Sequence, residues 1–173
     1  MKIKNLLRVI LMILITGCTG IPDGIQPVRN FQVDRYLGVW YEIARLDHSF
    51  ERGLNNVSAT YTPRKDGGID VLNRGYNRKN GKWKEARGKA YFTGKTDEGR
   101  LKVSFFGPFY GAYNIIALDQ EYYQYALVCG PDRSYLWILA REKLLDKTTL
   151  DELVKLAGRL GFNTEDLIYV RHN

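Results

Sequence analysis

Cysteine and histidine are scarce in this chain. Its 173 residues include two of each, namely Cys18, Cys129, His48 and His172. That scarcity excludes a Cys/His-rich zinc site, and the chain also lacks a Ser-His-Asp set and a glycine-rich phosphate loop. The sequence therefore predicts no metal site, no cofactor and no catalytic residues, which argues against an enzyme.

Long hydrophobic runs are missing as well. The longest, from Val9 to Ile15, is far shorter than the roughly 20 residues that span a bilayer. Basic residues precede this run and small residues follow it, which is the layout of a secretory signal. A buried core helix is the alternative, but few helices open a chain with this order of charges. Residues 1–17 are therefore predicted to be a signal peptide that is cleaved off.

The motif Ile15-Thr16-Gly17-Cys18 resembles the bacterial lipoprotein box, in which small residues precede a cysteine. Cys18 is therefore the predicted lipidation site, with a diacylglyceryl group on its thiol and an acyl chain such as palmitate on its amine. An ordinary cysteine behind a signal peptide is the alternative. Three chains anchor firmly, because each buried methylene contributes about 0.8 kcal/mol. Thr19 stands where an Asp would resemble an inner-membrane retention signal, so we expect anchoring in the outer membrane of a Gram-negative bacterium, on the periplasmic rather than the outer face.

Neither basic nor acidic residues are concentrated in one part of the chain. The formal net charge is +7, but part of it belongs to the predicted signal peptide. Only Arg64-Lys65 and Arg78-Lys79 form short basic clusters, so the sequence predicts no nucleic-acid partner. Because Cys18 is assigned to lipid, Cys129 has no partner for an intrachain disulfide and is expected to be a buried, inert thiol.

Short β-rich runs, separated by Gly, Pro, Asn and Asp, fill most of the chain. Residues 18–29 show no periodicity and are predicted to be a lipidated tether, followed by one domain over 30–173. The predicted strands cover residues 39–46, 56–62, 68–76, 83–93, 99–106, 112–119, 123–130 and 134–141. Eight strands with short connections predict an all-β fold, an up-and-down antiparallel barrel, with a sandwich as the alternative.

One helix follows the strands. Thr149 and Glu152 are spaced as a capping box, and apolar residues from Leu150 to Leu160 recur at helical spacing. Gly161 is suited to end the helix, and residues 167–170 suit a short final strand. We expect this helix to pack on the outside of the barrel.

Two sequence blocks resemble the lipocalin family. The first is Asn30-Phe31 with Arg35-Tyr36-Leu37-Gly38-Val39-Trp40-Tyr41-Glu42-Ile43-Ala44-Arg45, and the second ends at Arg141. Further stretches, such as Gly88-Lys89-Ala90-Tyr91-Phe92, are similar to the bacterial lipocalins, relatives of apolipoprotein D. The resemblance covers nearly the whole mature chain. It implies a binding protein that stores or transports fatty acids or lysophospholipids for envelope maintenance.

Gly38, Trp40 and Arg141 are predicted to form a structural floor at one end of the barrel. In an up-and-down barrel the end of the eighth strand lies beside the start of the first, so the Arg141 guanidinium can cover the Trp40 indole. Such a cation–π contact contributes about 0.5–2 kcal/mol. Contact with a ligand is the alternative role for this pair.

Strand parity places the ligand at the other end. The loops at 47–55, 77–82, 107–111 and 131–133 should form the mouth, and alternation should turn Val57, Ala59, Leu101, Val103 and Leu139 inward. The predicted ligand-binding residues are Tyr61, Phe92, Phe105, Tyr110, Tyr135, Trp137, Arg52 and Arg133. Arginines and aromatic residues at the mouth suit the head of an amphipathic guest.

Three other interpretations stay open. The barrel interior can be filled, which would make the chain a purely structural envelope lipoprotein. His48 in the first mouth loop is the one candidate axial ligand for haem, in a barrel that binds haem or another small hydrophobic molecule. A homodimer is also compatible with the sequence.

Overall fold

The computed structural model describes residues 19–173. The predicted signal peptide, residues 1–17, and the predicted lipidation site, Cys18, lie outside the described residues. Within residues 19–173, no helix has the length and apolar character needed to cross a membrane.

Strands dominate the described chain. They are β1 (Gly38–Arg45), β2 (Leu54–Pro63), β3 (Ile69–Asn77), β4 (Lys82–Phe92), β5 (Arg100–Phe106), β6 (Phe109–Leu118), β7 (Tyr125–Cys129), β8 (Leu136–Ala140) and β9 (Ile168–Tyr169). The helices are α1 (Val33–Tyr36) and α2 (Lys147–Arg159), with a 3-10 turn at Thr164–Asp166.

Strands β1 to β8 close into an antiparallel barrel. Each strand pairs with the next, and β1 pairs with both β2 and β8. At the closure Trp40 lies opposite Ala59, and Tyr41 lies opposite Ala140. The short β9 adds to the free part of β1. The predicted eight-stranded up-and-down barrel is confirmed, and the sandwich is excluded.

A β-bulge turns the charged end of β1 inward. Between Glu42 and Ala44 the register against β8 shifts by one residue, so Ile43 is the extra residue. A bulge changes the face that the following side chains occupy. Arg45 is consequently 1% exposed and donates a hydrogen bond to Glu42, whereas simple alternation would have placed it on the opposite face.

Helix α2 packs on the outer face of the barrel, as predicted. Leu153 and Ala157 are buried in an apolar layer that also includes Leu127 and Cys129 from β7. Gly161 follows the helix with φ +85°, and this left-handed conformation favours glycine.

The start of α2 differs from the prediction. Asp146 is the N-cap, and its carboxylate accepts a hydrogen bond from the Thr149 backbone N–H at 2.9 Å. The predicted capping box of Thr149 and Glu152 is therefore wrong. The helix begins at Lys147, one turn earlier than its apolar stripe indicates, because an aspartate can also cap the first turn.

The segment before the barrel is fixed to its wall. Ile25 is 2% exposed, and the Val28 backbone pairs with Ile115 and Gly99 at 2.9 and 2.8 Å. The Asn114 side chain donates to the Gly20 carbonyl at 3.0 Å. The interpretation of residues 18–29 as a tether missed these contacts, because a Pro- and Gly-rich segment shows no periodicity even when its backbone is paired. The domain boundary at residue 30 stays a prediction.

Candidate ligand-binding site

Trp40 closes one end of the barrel. Its side chain is fully buried, and its indole N–H donates to the Tyr36 carbonyl at 2.7 Å. The Arg141 guanidinium lies over the indole, 4.0 Å from the ring centroid, and donates to the carbonyls of Val39 and Arg35 at 2.9 and 2.7 Å. Arg141 thus connects β1 to the short helix α1 that precedes it.

Gly38 lets β1 begin directly below this guanidinium. Its φ of +95° is costly for a residue with a side chain, and an added Cβ would lie 3.4 Å from Arg141 Nη1. The structure therefore brings Gly38, Trp40 and Arg141 together. Phe92, a predicted ligand contact, packs against Phe31 with ring centroids 6.2 Å apart and belongs to the apolar cluster around this floor.

An internal cavity lies above the floor. Its volume is about 110 Å³, several times the roughly 10–15 Å³ that a single-water site needs. The inward side chains predicted for β2, β5 and β8 line it, namely Val57, Ala59, Tyr61, Leu101, Val103, Phe105, Trp137 and Leu139.

Three of the predicted ligand contacts are brought to this cavity, and the others are not. Tyr61, Phe105 and Trp137 line it. Tyr135 stacks behind Trp137, with centroids 6.2 Å apart, and is not part of the lining. Tyr110 lies on the outer face of the wall, where it packs against Tyr91 and the Lys102 ammonium, 4.9 Å away.

The two predicted head-group arginines also point away from the cavity. Arg52 forms a solvent-exposed ion pair with Asp47 at 2.6 Å. Arg133 donates to the carbonyls of Leu160 at the end of α2 and of Asp23 at 2.8 and 2.7 Å. Strand parity located their loops correctly, but it carries no information on where a long side chain in a loop points.

The sequence analysis missed a buried polar cluster beside the cavity. Glu42, Arg45, His48 and Glu51 are 3, 1, 6 and 7% exposed, and both glutamates line the cavity. The Arg45 guanidinium donates to Glu42 at 2.6 Å and to the Glu51 backbone carbonyl at 2.9 Å. These four residues recur at every third position, from a largely apolar strand into the following loop. This spacing was the signal available in the sequence.

Arg45 fixes the mouth loop through this cluster. Besides Glu51, it donates to the Leu54 carbonyl at 3.4 Å. Glu51 in turn accepts from the Trp137 indole at 3.1 Å. His48 stacks on Phe50 with centroids 4.0 Å apart, so the loop after β1 folds over the mouth of the barrel.

A chain of three tyrosine hydroxyls also lies in the cavity wall. The hydroxyls of Tyr36 and Tyr61 each make a 2.8 Å hydrogen bond to the hydroxyl of Tyr113. All three residues line the cavity. Burial raises the pKa of each phenol, so the three hydroxyls remain protonated.

Comparison with known proteins agrees with this architecture. The family described as "Lipocalin-like domain" matches residues 31–172. The chain belongs to the lipocalin family. It is 51% identical over 168 residues to the outer membrane lipoprotein Blc of Vibrio cholerae, covering 97% of this chain and 98% of that protein. It is 56% identical over 150 residues to outer membrane lipoprotein Blc of Escherichia coli, covering 87% and 84%.

More distant relatives share the fold. Mouse apolipoprotein D is 32% identical to this lipocalin over 144 residues, which are 80% of this chain and 75% of that protein. The structure of insecticyanin from the tobacco hornworm Manduca sexta superposes with a TM-score of 0.72 at 23% identity, covering 89% of this chain and 87% of that one.

Burial controls the protonation of the polar cluster in this lipocalin. The pKa of Glu42 is raised well above its ordinary value by burial and then by the neighbouring Glu51 carboxylate, and burial also raises the pKa of Glu51. Burial, followed by the charge of Arg45, lowers the pKa of His48 to about 4. The His48 imidazole is therefore neutral at pH 7, although Nε2 lies 3.2 Å from Glu51 Oε2.

Cys129 lies outside this site. It is fully buried behind the barrel wall, as predicted, and burial raises the pKa of its thiol to about 12. The thiol is therefore almost entirely protonated at pH 7, and the thiolate is the nucleophilic form. No group of His, Cys, Asp and Glu side chains in residues 19–173 is arranged to hold a metal ion.

Proposed function

We propose that this lipocalin is a lipid-binding protein, not an enzyme, and that its barrel takes one acyl chain of a fatty acid or lysophospholipid. The cavity above the Trp40 floor carries this proposal. Its wall is largely apolar, and burying each methylene of a chain contributes about 0.8 kcal/mol. A filled, purely structural barrel is disfavoured by the cavity itself, and His48, the candidate haem ligand, does not line it.

We further propose that the chain is anchored through Cys18 in the outer membrane and stores or moves single-chain lipids there for envelope maintenance. The Vibrio cholerae and Escherichia coli relatives, both named outer membrane lipoproteins, support the location. Trp40 and Arg141 close one end of the barrel. A ligand would therefore enter the cavity through the opposite end, which the 47–53 loop covers.

Quenching of tryptophan fluorescence tests the ligand class, because Trp137 lines the cavity. A lysophospholipid should quench and saturate at one ligand per protein, whereas a diacyl phospholipid with the same head and chain length should bind at least about tenfold more weakly, since eight-stranded barrels hold one small ligand. Comparable affinity for the two forms would contradict the single-chain proposal.

Native mass spectrometry of protein from cells then separates a retained lipid from haem or an empty barrel.

A further inference from the structure

Two buried carboxyl groups stand in the wall of a largely apolar cavity. The side chains of Glu42 and Glu51 are 4 and 9% exposed, and both line the cavity. Glu42 Oε1 accepts from Arg45 at 2.6 Å, and Glu51 Oε2 accepts from the Trp137 indole at 3.1 Å. The two carboxyl groups also lie within hydrogen-bonding reach of each other.

The charges around this pair do not balance if both carboxyls are ionised. The charged and titratable groups that face it are Arg45 on β1, His48 in the mouth loop, Tyr61 on β2 and Lys84 on β4. Lys84 is exposed and donates to the Phe50 carbonyl, so Arg45 is the one buried cation among the described groups that face the pair. Isolated negative charge is costly in a dry site, and coupled carboxyls of this kind share one proton.

His48 lies beside the pair but does not line the cavity. Both ring nitrogens of His48 are buried, and in residues 19–173 neither has a hydrogen-bond partner with acceptable geometry. The tyrosine chain adds an independent observation. Three hydroxyl protons serve the two hydrogen bonds between Tyr36, Tyr113 and Tyr61, so one O–H remains without an acceptor in the cavity wall. A pure hydrocarbon would leave the carboxyl pair without a counter-charge and this O–H without an acceptor, whereas a hydroxyl group can both donate and accept.

We propose that the Glu42–Glu51 pair binds a hydrogen-bond-donating group of the ligand, an ammonium or a hydroxyl, and excludes a carboxylate from this part of the cavity. This inference rests on the proposed lipid-binding function and narrows its ligand: it favours a lysophospholipid, whose glycerol hydroxyl can donate, over a fatty acid, which is a carboxylate at neutral pH. An ammonium can replace the shared proton and balance both carboxylates, and a hydroxyl can donate to the ionised oxygen. A carboxylate has no proton to donate and adds a second negative charge to a site with one buried cation.

Ligands with one chain and different heads test this directly. Dodecylammonium, dodecan-1-ol and dodecanoate are titrated into the purified protein at pH 7.4, and binding is followed by the change in tryptophan fluorescence. We expect dodecylammonium and dodecan-1-ol to bind at least about tenfold more tightly than dodecanoate, a difference within the range of buried charge pairs. Calorimetry in buffers of different ionisation enthalpy should show that about one proton is released when dodecylammonium binds, and none for the alcohol.

A substitution localises the effect. Glu51→Gln keeps the volume but removes one charge, so it should weaken dodecylammonium, strengthen dodecanoate and bring their affinities within roughly threefold of each other. Glu85→Gln makes the same chemical change at an exposed ion pair with Arg74 on the outer surface and should leave the order unchanged. Glu42→Gln replaces Glu51→Gln if the latter does not fold with the wild-type circular dichroism spectrum.

The outcomes distinguish this inference from the function on which it rests. If neither these three ligands nor the lysophospholipid binds the wild-type protein, the lipid-binding proposal fails, and if the lysophospholipid alone binds, the role of the carboxyl pair is refuted. If all three bind with equal affinity, or if Glu51→Gln shifts all three equally, lipid binding stands but the role of the carboxyl pair is refuted. A reversed order, with dodecanoate tightest, would refute it as well.

Discussion

Arg141 is the residue on which the closed end of the barrel depends. Its guanidinium covers Trp40 and donates to three backbone carbonyls, those of Val39, Arg35 and Tyr123. The planar fork of donors makes this geometry possible, and a lysine ammonium cannot reproduce it. Stability and ligand binding are therefore separable at this position, because the cavity begins above the floor.

We predict that Arg141→Ala lowers the free energy of unfolding by about 1–3 kcal/mol, through loss of the cation–π contact and of charge-assisted hydrogen bonds. Arg141→Lys should recover less than half of this loss. Urea unfolding followed by circular dichroism measures both. Lysolipid affinity of the folded variant should stay within about threefold of wild type. Intact stability with abolished binding would instead assign Arg141 to the ligand.

His48 should make the stability of the protein sensitive to acid. The pKa of His48 is about 4 in the folded protein and 6.5 for an ordinary histidine. Between these two pH values the imidazole is protonated in the unfolded chain but mostly neutral in the native protein. The stability associated with neutral His48 is complete above pH 6.5 and is lost as the pH falls towards 4. Near pH 4.5 the loss amounts to about 2–3 kcal/mol.

Replacing His48 with glutamine removes this titration. We predict that the free energy of unfolding of wild-type protein falls more steeply than that of His48→Gln between pH 7.5 and 4.5. Because Glu42 and Glu51 are present in both proteins, the difference between the two curves isolates His48. Parallel curves would show that the imidazole ionises in the native state as readily as in the unfolded chain.

At the scale of elements, the strands were predictable and their irregularities were not. Alternating faces in β2, β5 and β8 identified the side chains that line the cavity, since pleating turns every second residue inward. The bulge at Ile43 reverses that alternation and brings Arg45 beside Glu42, and no period-2 pattern contains that information. The loop arginines Arg52 and Arg133 were misplaced for a related reason, because their nearest acceptors are set by tertiary contacts.

The helix start illustrates the same limit. The apolar stripe of α2 located the buried face, but the cap lies one turn before the stripe, at Asp146. An apolar pattern predicts the part of a helix that packs against the protein, but it does not predict where the solvent-exposed first turn begins.

This helix start can be tested by two alanine substitutions. Asp146→Ala removes the side chain that accepts from the Thr149 N–H and should lower Tm by roughly 2–5 °C, as N-cap losses do. Thr149→Ala, at the position suggested by the apolar stripe, should change Tm by less than about 1 °C, because its side chain does not cap the helix. Thermal unfolding by circular dichroism compares them. The opposite order would restore the capping box.

At the scale of the whole molecule, the barrel, its helix and the N-terminal segment form one connected unit. Ile25 packs in the layer between barrel and helix, and Arg133 joins Asp23 to the end of α2. The chain from residue 20 onward is therefore attached to the barrel, which leaves little length between the domain and Cys18. We expect the anchored protein to sit close to the membrane surface, where single-chain lipids partition.

The two cysteines provide a matched test of that anchoring. Cys18→Ala should abolish lipid attachment, so that the protein accumulates as an uncleaved precursor or leaves the outer-membrane fraction, because the Cys18 thiol is the acceptor that we propose for the diacylglyceryl group. Cys129→Ala changes the same side chain at a buried position and should retain wild-type fractionation with at most a modest loss of stability. Sucrose-gradient fractionation and metabolic labelling with radioactive palmitate measure location and lipidation separately. Palmitate-labelled Cys18→Ala protein in the outer membrane would refute Cys18 as the lipidation site, since the lipid would then have to be attached elsewhere in the chain.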